Sequence, residues 1–306
     1  MSSAVRAAAL PAPGPAVPAE DPGIGIALLL SALLVFSCSD ATAKYLTGEL
    51  PIIEIIWLRY IVFVAVLLPS TLRGGGTVLR SARPRLQLLR GVSMLASGLL
   101  FTGSLAFLPL AEATSIGFVS PLFITALSIP FLGEQVGLRR WAAIVVGLLG
   151  VLIVVRPGTD AFQPAAILPV LSAAAWAAAI IITRKMSGAD GALTTLLFTS
   201  VSALLILSLA VPFVWQTPSL AQLGFGLLYG SFASAGQWLV VLAYQRAGAS
   251  TLAPLAYSQL VWSVALGFLI FGAAPDSRTL GGAAVIIASG LYTAHRERLR
   301  ARPQRT

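Results

Sequence analysis

The chain has 306 residues, of which 57% are hydrophobic and 10% charged, against roughly 25% charged in soluble domains, so it carries far too much apolar side chain for one water-soluble core. Its mean hydropathy is +0.90, and 20 basic against 11 acidic residues leave a net charge of +9. These values exclude a soluble globular protein, and without a soluble basic domain the excess charge is no sign of a nucleic-acid partner.

Residues 1–23, rich in Ala and Pro, cannot build a core and read as a disordered leader. Ten apolar segments follow, at about 24–46, 52–70, 88–108, 113–132, 139–156, 164–184, 192–213, 220–244, 250–272 and 277–294. Each is close to the roughly 20 residues that cross a bilayer as a helix. The runs are continuous rather than alternating, which rules out barrel strands. Residues 295–306 form a basic tail, and 157–163 link the fifth segment to the sixth. Cys38 is the only cysteine, so no internal disulfide forms, and Phe36 is too large for a lipoprotein cleavage site.

With the amino terminus inside, 16 of the 20 basic residues fall on the inner side. The opposite loops then hold only Arg156 and Arg278, while Lys44 and Arg59 lie within segments. The positive-inside rule therefore places both termini in the cytoplasm and requires ten spans.

The chain also repeats. "LLSALLVFSCSDATAKYLTG" (29–48) aligns with "VLSAAAWAAAIIITRKMSG" (170–188), matching Leu30-Ser31-Ala32 with Leu171-Ser172-Ala173 and Lys44 with Lys185. "VGLLGVL" (146–152) echoes "IIASGLY" (286–292) at a similar offset. Two halves of five helices result, 24–156 and 164–294, and because five is odd the second enters the membrane inverted. The fold class is thus all-α integral membrane, ten transmembrane helices in two inverted five-helix repeats. Secondary transporters have this architecture, with a substrate site near the midplane between the halves.

Residues 113–158, with Ser120-Pro121-Leu122-Phe123, the Gly133-Glu134 turn and the Gly147/Gly150 helix, resemble the fourth and fifth helices of the drug/metabolite transporter superfamily, in its ten-helix EamA-type branch. "SDATAKYL", "EIIWLRY" and "RPRLQLLRG" are similar to the subgroup that includes S-adenosylmethionine uptake and bacterial riboflavin transporters. The second half departs from the pattern, with Gly272-Ala273 where the first has Gly133-Glu134. The resemblance implies a secondary transporter of the bacterial inner membrane carrying a small organic metabolite, a heterocyclic vitamin or cofactor such as riboflavin or S-adenosylmethionine. Export of amino acids, drugs or other metabolites is the alternative within transport, and a membrane structural or chaperone module the alternative outside it.

Depth arithmetic pairs the charges of the first two segments. At 1.5 Å per residue, Asp40 and Arg59 lie roughly 9 and 10 Å below the outer surface, and Lys44 and Glu54 each roughly 3 Å below it. An unpaired Asp or Arg at the centre of a span costs about 2.5 to 3.5 kcal/mol. A ladder of Asp40 with Arg59 and Lys44 with Glu54 is therefore expected, acting either as a clamp between the two helices or as an external gate or proton-linked site.

Polar and aromatic residues near mid-depth mark a substrate cavity: Ser97, Ser120, Trp176, Gln259 and Trp262, with Gln237, Trp238 and Tyr257 displaced toward the cytoplasm. Such rings and amides suit a flat heteroaromatic ligand. Pro121 and Pro254 interrupt the fourth and ninth segments, and the small stripe Gly226, Gly230, Ser234 reads as a close-packing face. Gly91-Val92-Ser93 has a serine-protease spacing, but His295 is the sole histidine and lies in the tail. No catalytic set, metal site, cofactor or phosphate-binding loop is expected. The expected partners are the lipid bilayer and a small-molecule substrate.

Reporter fusions test the topology. A fusion after Thr306 and one in the 74–79 loop are expected to report cytoplasm, whereas one after Pro275 reports the opposite side; a reversed pattern removes the basis of the depth arithmetic.

Overall fold

A computed structural model describes residues 22–73, 80–134, 137–157, 163–186 and 189–301. Of the expected leader, residues 1–21 lie outside these ranges and Pro22 already opens the first helix; residues 158–162 of the linker and 302–306 of the tail also lie outside them. The described residues form twelve α-helices. The first half contains α1 (Pro22–Thr47), α2 (Ile52–Arg73), α3 (Pro84–Leu105), α4 (Leu110–Gly117), α5 (Ser120–Leu132) and α6 (Leu138–Val155). The second contains α7 (Ile167–Lys185), α8 (Ala192–Ala210), α9 (Leu220–Arg246), α10 (Ala249–Leu252), α11 (Ser258–Phe271) and α12 (Ser277–Ala301).

Among the described residues eight stretches are long and apolar enough to cross a membrane, with Leu110–Leu132 counted as one. The two further spans expected at 139–156 and 277–294 correspond to α6, whose apolar part Trp141–Val155 is shorter, and to α12, which packs along it and continues as helix to Ala301. An all-helical span follows from the solvent, because hydrocarbon cannot satisfy a backbone amide that the helix leaves open.

The packing is symmetric about the two halves. α1 lies on α9 and α3 on α7; α2 touches α9 as α8 touches α3; α5 meets α7 as α11 meets α1. α2 with α8 and α6 with α12 are contacts between equivalent elements, and α4 with α11 joins the broken fourth span of one half to that of the other. This is the inverted repeat that the sequence echo implies.

Both halves break their fourth span in the same place. α4 stops at Gly117 and α5 restarts at Ser120 with Pro121 in its first turn, while a 3-10 turn at Ala253–Tyr257, containing Pro254, separates α10 from α11. The breaks meet, with the rings of Phe118 and Tyr257 at a centroid distance of 5.1 Å. Both restarted helices end on a left-handed glycine, Gly133 at φ 70° and Gly272 at φ 65°. Each cap closes with two backbone bonds, Gly133 N to Ile129 O and Glu134 N to Ser128 O in one, Gly272 N to Phe268 O and Ala273 N to Gly267 O in the other. The cap needs the glycine and not the acid, so Ala273 in place of a glutamate leaves the second turn intact.

Small residues let the helices close in. An added Cβ on Gly230 would come within 2.5 Å of Val62, and one on Gly226 within 2.8 Å of Leu58, so α2 lies directly on the α9 stripe. Where α6 crosses α12, a Cβ on Gly150 would lie 2.9 Å from Gly282 O, and one on Gly282 would lie 2.7 Å from Gly150 O. Near the other end of that crossing Ser289 Oγ donates to Ala143 O at 2.6 Å.

Loops on the two faces tie the halves together. On the face where α1 begins, Asp190 accepts from Ser81 Oγ, Ala82 N and Gln87 Nε2, and these bonds, that from Ser81 foremost, hold its carboxyl below the ordinary range. On the opposite face Arg156 pairs with Asp276 and likewise holds that carboxyl well down. Gly230→Val is expected to cost about 1 to 3 kcal/mol by overpacking against Val62. Gly281→Ala is expected to be silent, since no neighbouring atom lies within 4 Å of its Cβ position. Thermal unfolding in detergent compares the two.

Candidate functional site

Neither rung of the expected ladder forms. Among the described residues Arg156–Asp276 and Arg184–Glu134 are ion pairs, whereas Asp40 and Arg59 do not approach within ion-pair distance, nor do Lys44 and Glu54. Asp40 instead accepts from Gln259 Nε2 at 3.3 Å. Arg59 donates to the Tyr229 hydroxyl at 3.3 Å, with its guanidinium 5.6 Å from the ring centroid of Tyr60 and 5.5 Å from that of Tyr229. Lys44 Nζ donates to Leu105 O and Leu108 O at 2.9 and 2.8 Å. The fully buried Glu54 accepts from Gln216 N at 3.1 Å and keeps its other oxygen unpaired. The reason is rotational. Depth along a helix follows from counting, but α1 packs on α9 far more than on α2, so Asp40, Arg59 and Glu54 find their partners in the second half while Lys44 reaches the carbonyls between α3 and α4.

What assembles is a polar cluster between the halves. α1 supplies Ser37, Ser39 and Asp40, α2 Arg59, α3 Thr102, α9 Tyr229, and α11 Gln259. Ser37 Oγ donates to Gln259 O at 3.3 Å, Ser39 Oγ to Tyr229 O at 3.2 Å, and Thr102 Oγ1 lies 3.4 Å from the Tyr229 hydroxyl. Ser37, Ser39, Thr102 and Tyr229 are buried, which fixes the frame. Asp40, Arg59 and Gln259 are only partly buried, so each keeps some accessible surface at this cluster.

The second half has its own version. Thr199, the position matching Arg59, faces Arg90 of α3, which donates to it and to Thr183 Oγ1. One arginine thus serves each of the two mirrored crossings, from α2 in one and from α3 in the other.

The remaining expected site residues divide. Trp262 lies half-buried beside Leu29, Leu33 and Leu252, and its indole nitrogen is buried without a hydrogen-bond partner; one turn earlier Ser258 Oγ is in the same condition. Both flank Gln259 on α11. Ser97 Oγ meets Ser172 Oγ at 3.1 Å and joins α3 to α7. Tyr257 is the aromatic of the second break, packed where Gly290 has no side chain. Ser120 opens α5 and Gln237 is half-buried on α9. Trp176 and Trp238 are 42% and 60% exposed, outside the polar cluster. Tyr229 went unnoticed in the sequence, although at 1.5 Å per residue it lies roughly 14 Å into its span, close to the depth of Arg59. That match was the available signal.

Comparison with known proteins follows the same division. The profile of the EamA-like transporter family matches twice, over residues 23–156 and 163–294. The chain belongs to the EamA-like transporter family. It is similar to an S-adenosylmethionine uptake transporter of Rickettsia bellii, 31% identical over 275 residues that cover 90% of this chain and 94% of the relative. It is also similar to a riboflavin transporter of Vibrio cholerae, 32% identical over 292 residues covering 92% and 96%. A pseudopaline exporter of Pseudomonas aeruginosa is 26% identical, with 87% and 94% covered. One solved crystal structure, 20% identical, shares the fold with a TM-score of 0.63 over 92% of this chain and 99% of its own. This EamA-like protein is accordingly a multi-pass secondary transporter of small molecules, with the fold of a carrier and not of a catalyst.

Tyr229→Phe keeps the ring beside Arg59 and removes only the hydroxyl. The lost charge-assisted bond is expected to cost about 1.5 to 3 kcal/mol, read as a lower unfolding temperature, whereas Trp238→Phe on the exposed face stays within about 0.5 kcal/mol of the parent.

Proposed function

We propose that this transporter, placed in the bacterial inner membrane with both termini in the cytoplasm, carries a heterocyclic cofactor-like metabolite, with S-adenosylmethionine the best fit, bound between the halves at Asp40, Arg59, Tyr229, Gln259 and Trp262. The observation that carries the reading is Asp40, a carboxylate deep in the bundle with only an amide as partner. Arg59 is held elsewhere by Tyr229. A substrate with a sulfonium or ammonium cation supplies the charge that the protein withholds from Asp40, and a substrate carboxylate has Arg59 within the same polar cluster. The unpaired donors Trp262 Nε1 and Ser258 Oγ suit ring nitrogens of an adenine-like base. The uptake transporters of Rickettsia support the same substrate.

A second reading, riboflavin, is favoured by the relatives of that name at 32% identity. A neutral flavin offers Asp40 no cation, so in that case the carboxylate carries a proton and couples transport to the proton gradient. The two readings separate on one variant. Proteoliposomes loaded for uptake of labelled S-adenosylmethionine or riboflavin are compared for the parent and Asp40→Asn. With a cationic substrate, the parent takes up S-adenosylmethionine, and Asp40→Asn loses at least tenfold in apparent affinity, about 1.4 kcal/mol. If the parent moves riboflavin and not S-adenosylmethionine, and Asp40→Asn abolishes the response to a pH gradient, the first reading fails and the second stands.

A further inference from the structure

The chain has two lysines among its 20 basic residues, Lys44 and Lys185, and they occupy equivalent positions in the inverted repeat. Inversion puts them at opposite faces, each in the last turn of the first helix of its half. Each ammonium also lies against a phenylalanine in the last turn of a helix from the other half. Lys44 Nζ is 5.6 Å from the centroid of Phe271, directly before the capping Gly272, and Lys185 Nζ is 5.9 Å from that of Phe131, two residues before the capping Gly133.

Beyond this shared seat the two ends differ. Lys44 is half-buried and its ammonium also holds Leu105 O and Leu108 O, the open carbonyls where α3 turns into α4. Such carbonyls at a helix C-terminus carry partial negative charge and lack backbone donors. A compact ammonium with three donors can take both carbonyls and the ring face together, which a planar guanidinium cannot do from one position. Lys185 is exposed, and among the described residues its ammonium reaches no carbonyl. The corner equivalent to Leu105–Leu108 is the turn from α9 into α10, at Ala243–Gly248. Beside Lys185, Arg184 pairs with Glu134 at 3.1 Å, which keeps the end of α7 against the end of α5, while the Ala243–Gly248 corner packs on α1 through Ala243 and Ala247 and receives no lysine among the described residues.

We propose that Lys44 and Lys185 are the paired locks of the transport cycle, one for each face, and that only one is seated at a time. This structure is the state in which Lys44 fastens its face. In the opposite state Lys185 takes the last carbonyls of α9, and Lys44 releases Leu105 and Leu108. The proposal rests on transport by alternating exposure of one site and is independent of the substrate.

The test measures distances between spin labels on cysteines placed in a Cys38→Ser background. Gly48→Cys with Ala274→Cys reports the Lys44 face, and Gly191→Cys with Gly248→Cys the Lys185 face; all four positions are exposed. Lys44→Met is expected to lengthen the first distance and shorten the second, and Lys185→Met to do the reverse. Each lowers flux at least fivefold. Lys44→Gln and Lys185→Gln, which keep a donor without the charge, give the same directions and replace the methionine variants where those fold poorly. If both lysine variants shift a given distance the same way, or if unfolding temperature falls with the distances unchanged, the lysines are structural caps and the proposal is overturned. Failure of either substrate in the uptake assay leaves these distances unaffected, so the two results are distinguishable.

Discussion

A guanidinium seven residues into α2 lies within a membrane-spanning helix, and the way Arg59 is satisfied sets the arrangement around it. Its donor finds the hydroxyl of Tyr229 on α9, and its flat face lies near the rings of Tyr60 and Tyr229. To make that reach, α2 must approach α9 closely, and Gly226 and Gly230 leave room for Leu58 and Val62 to do so. The same α9 packs along α1, so one helix of the second half separates and positions both charged helices of the first. Once Arg59 is engaged there, Asp40 is left to an amide, and the cluster between the halves holds an acid and a base that do not pair with each other. A direct pair would cancel both; held apart, each can recognise a different part of a ligand.

The amino-acid sequence makes some of this legible and hides the rest for a physical reason. Hydrophobic run length reveals spans because the bilayer imposes a thickness, so the ten segments and their near-equal spacing could be counted. Leu-Ser-Ala and the two lysines disclose the repeat. Pro121 and Pro254 locate the breaks, since a proline removes a donor wherever it sits. Rotation about each helix axis is different. It is decided by which neighbour a helix meets, a property of the whole assembly, and the ladder of Asp40 with Arg59 and Lys44 with Glu54 was drawn on the assumption that a hairpin in sequence is a hairpin in space. Depth was sufficient to place Gln259 and Trp262 near the middle of their span, but it could not distinguish them from Trp176 and Trp238, which are exposed outside the polar cluster. The residue that organises the site, Tyr229, hides in a glycine-rich helix because its single hydroxyl has no companion in the sequence; its companions arrive from α1, α2 and α3.

The two halves have kept their shared skeleton and lost their shared chemistry. The capping glycines, the broken spans and the lysine positions recur, whereas Asp40 is matched by Ile181, and Arg59 by Thr199. Arg90 then serves the second crossing from a different helix. Positions that hold the fold are repeated, and the charged positions of the polar cluster are not.

The crossing of α6 and α12 carries a consequence of its own. Gly150 meets Gly282 near one end and Ala143 meets Ser289 near the other, so each helix offers the same kind of patch to its counterpart. A contact of that kind is isologous, the form taken by a two-fold dimer. The covalent link between the halves therefore fixes the stoichiometry and relative orientation of two units whose mutual recognition is built into the fifth helix of each.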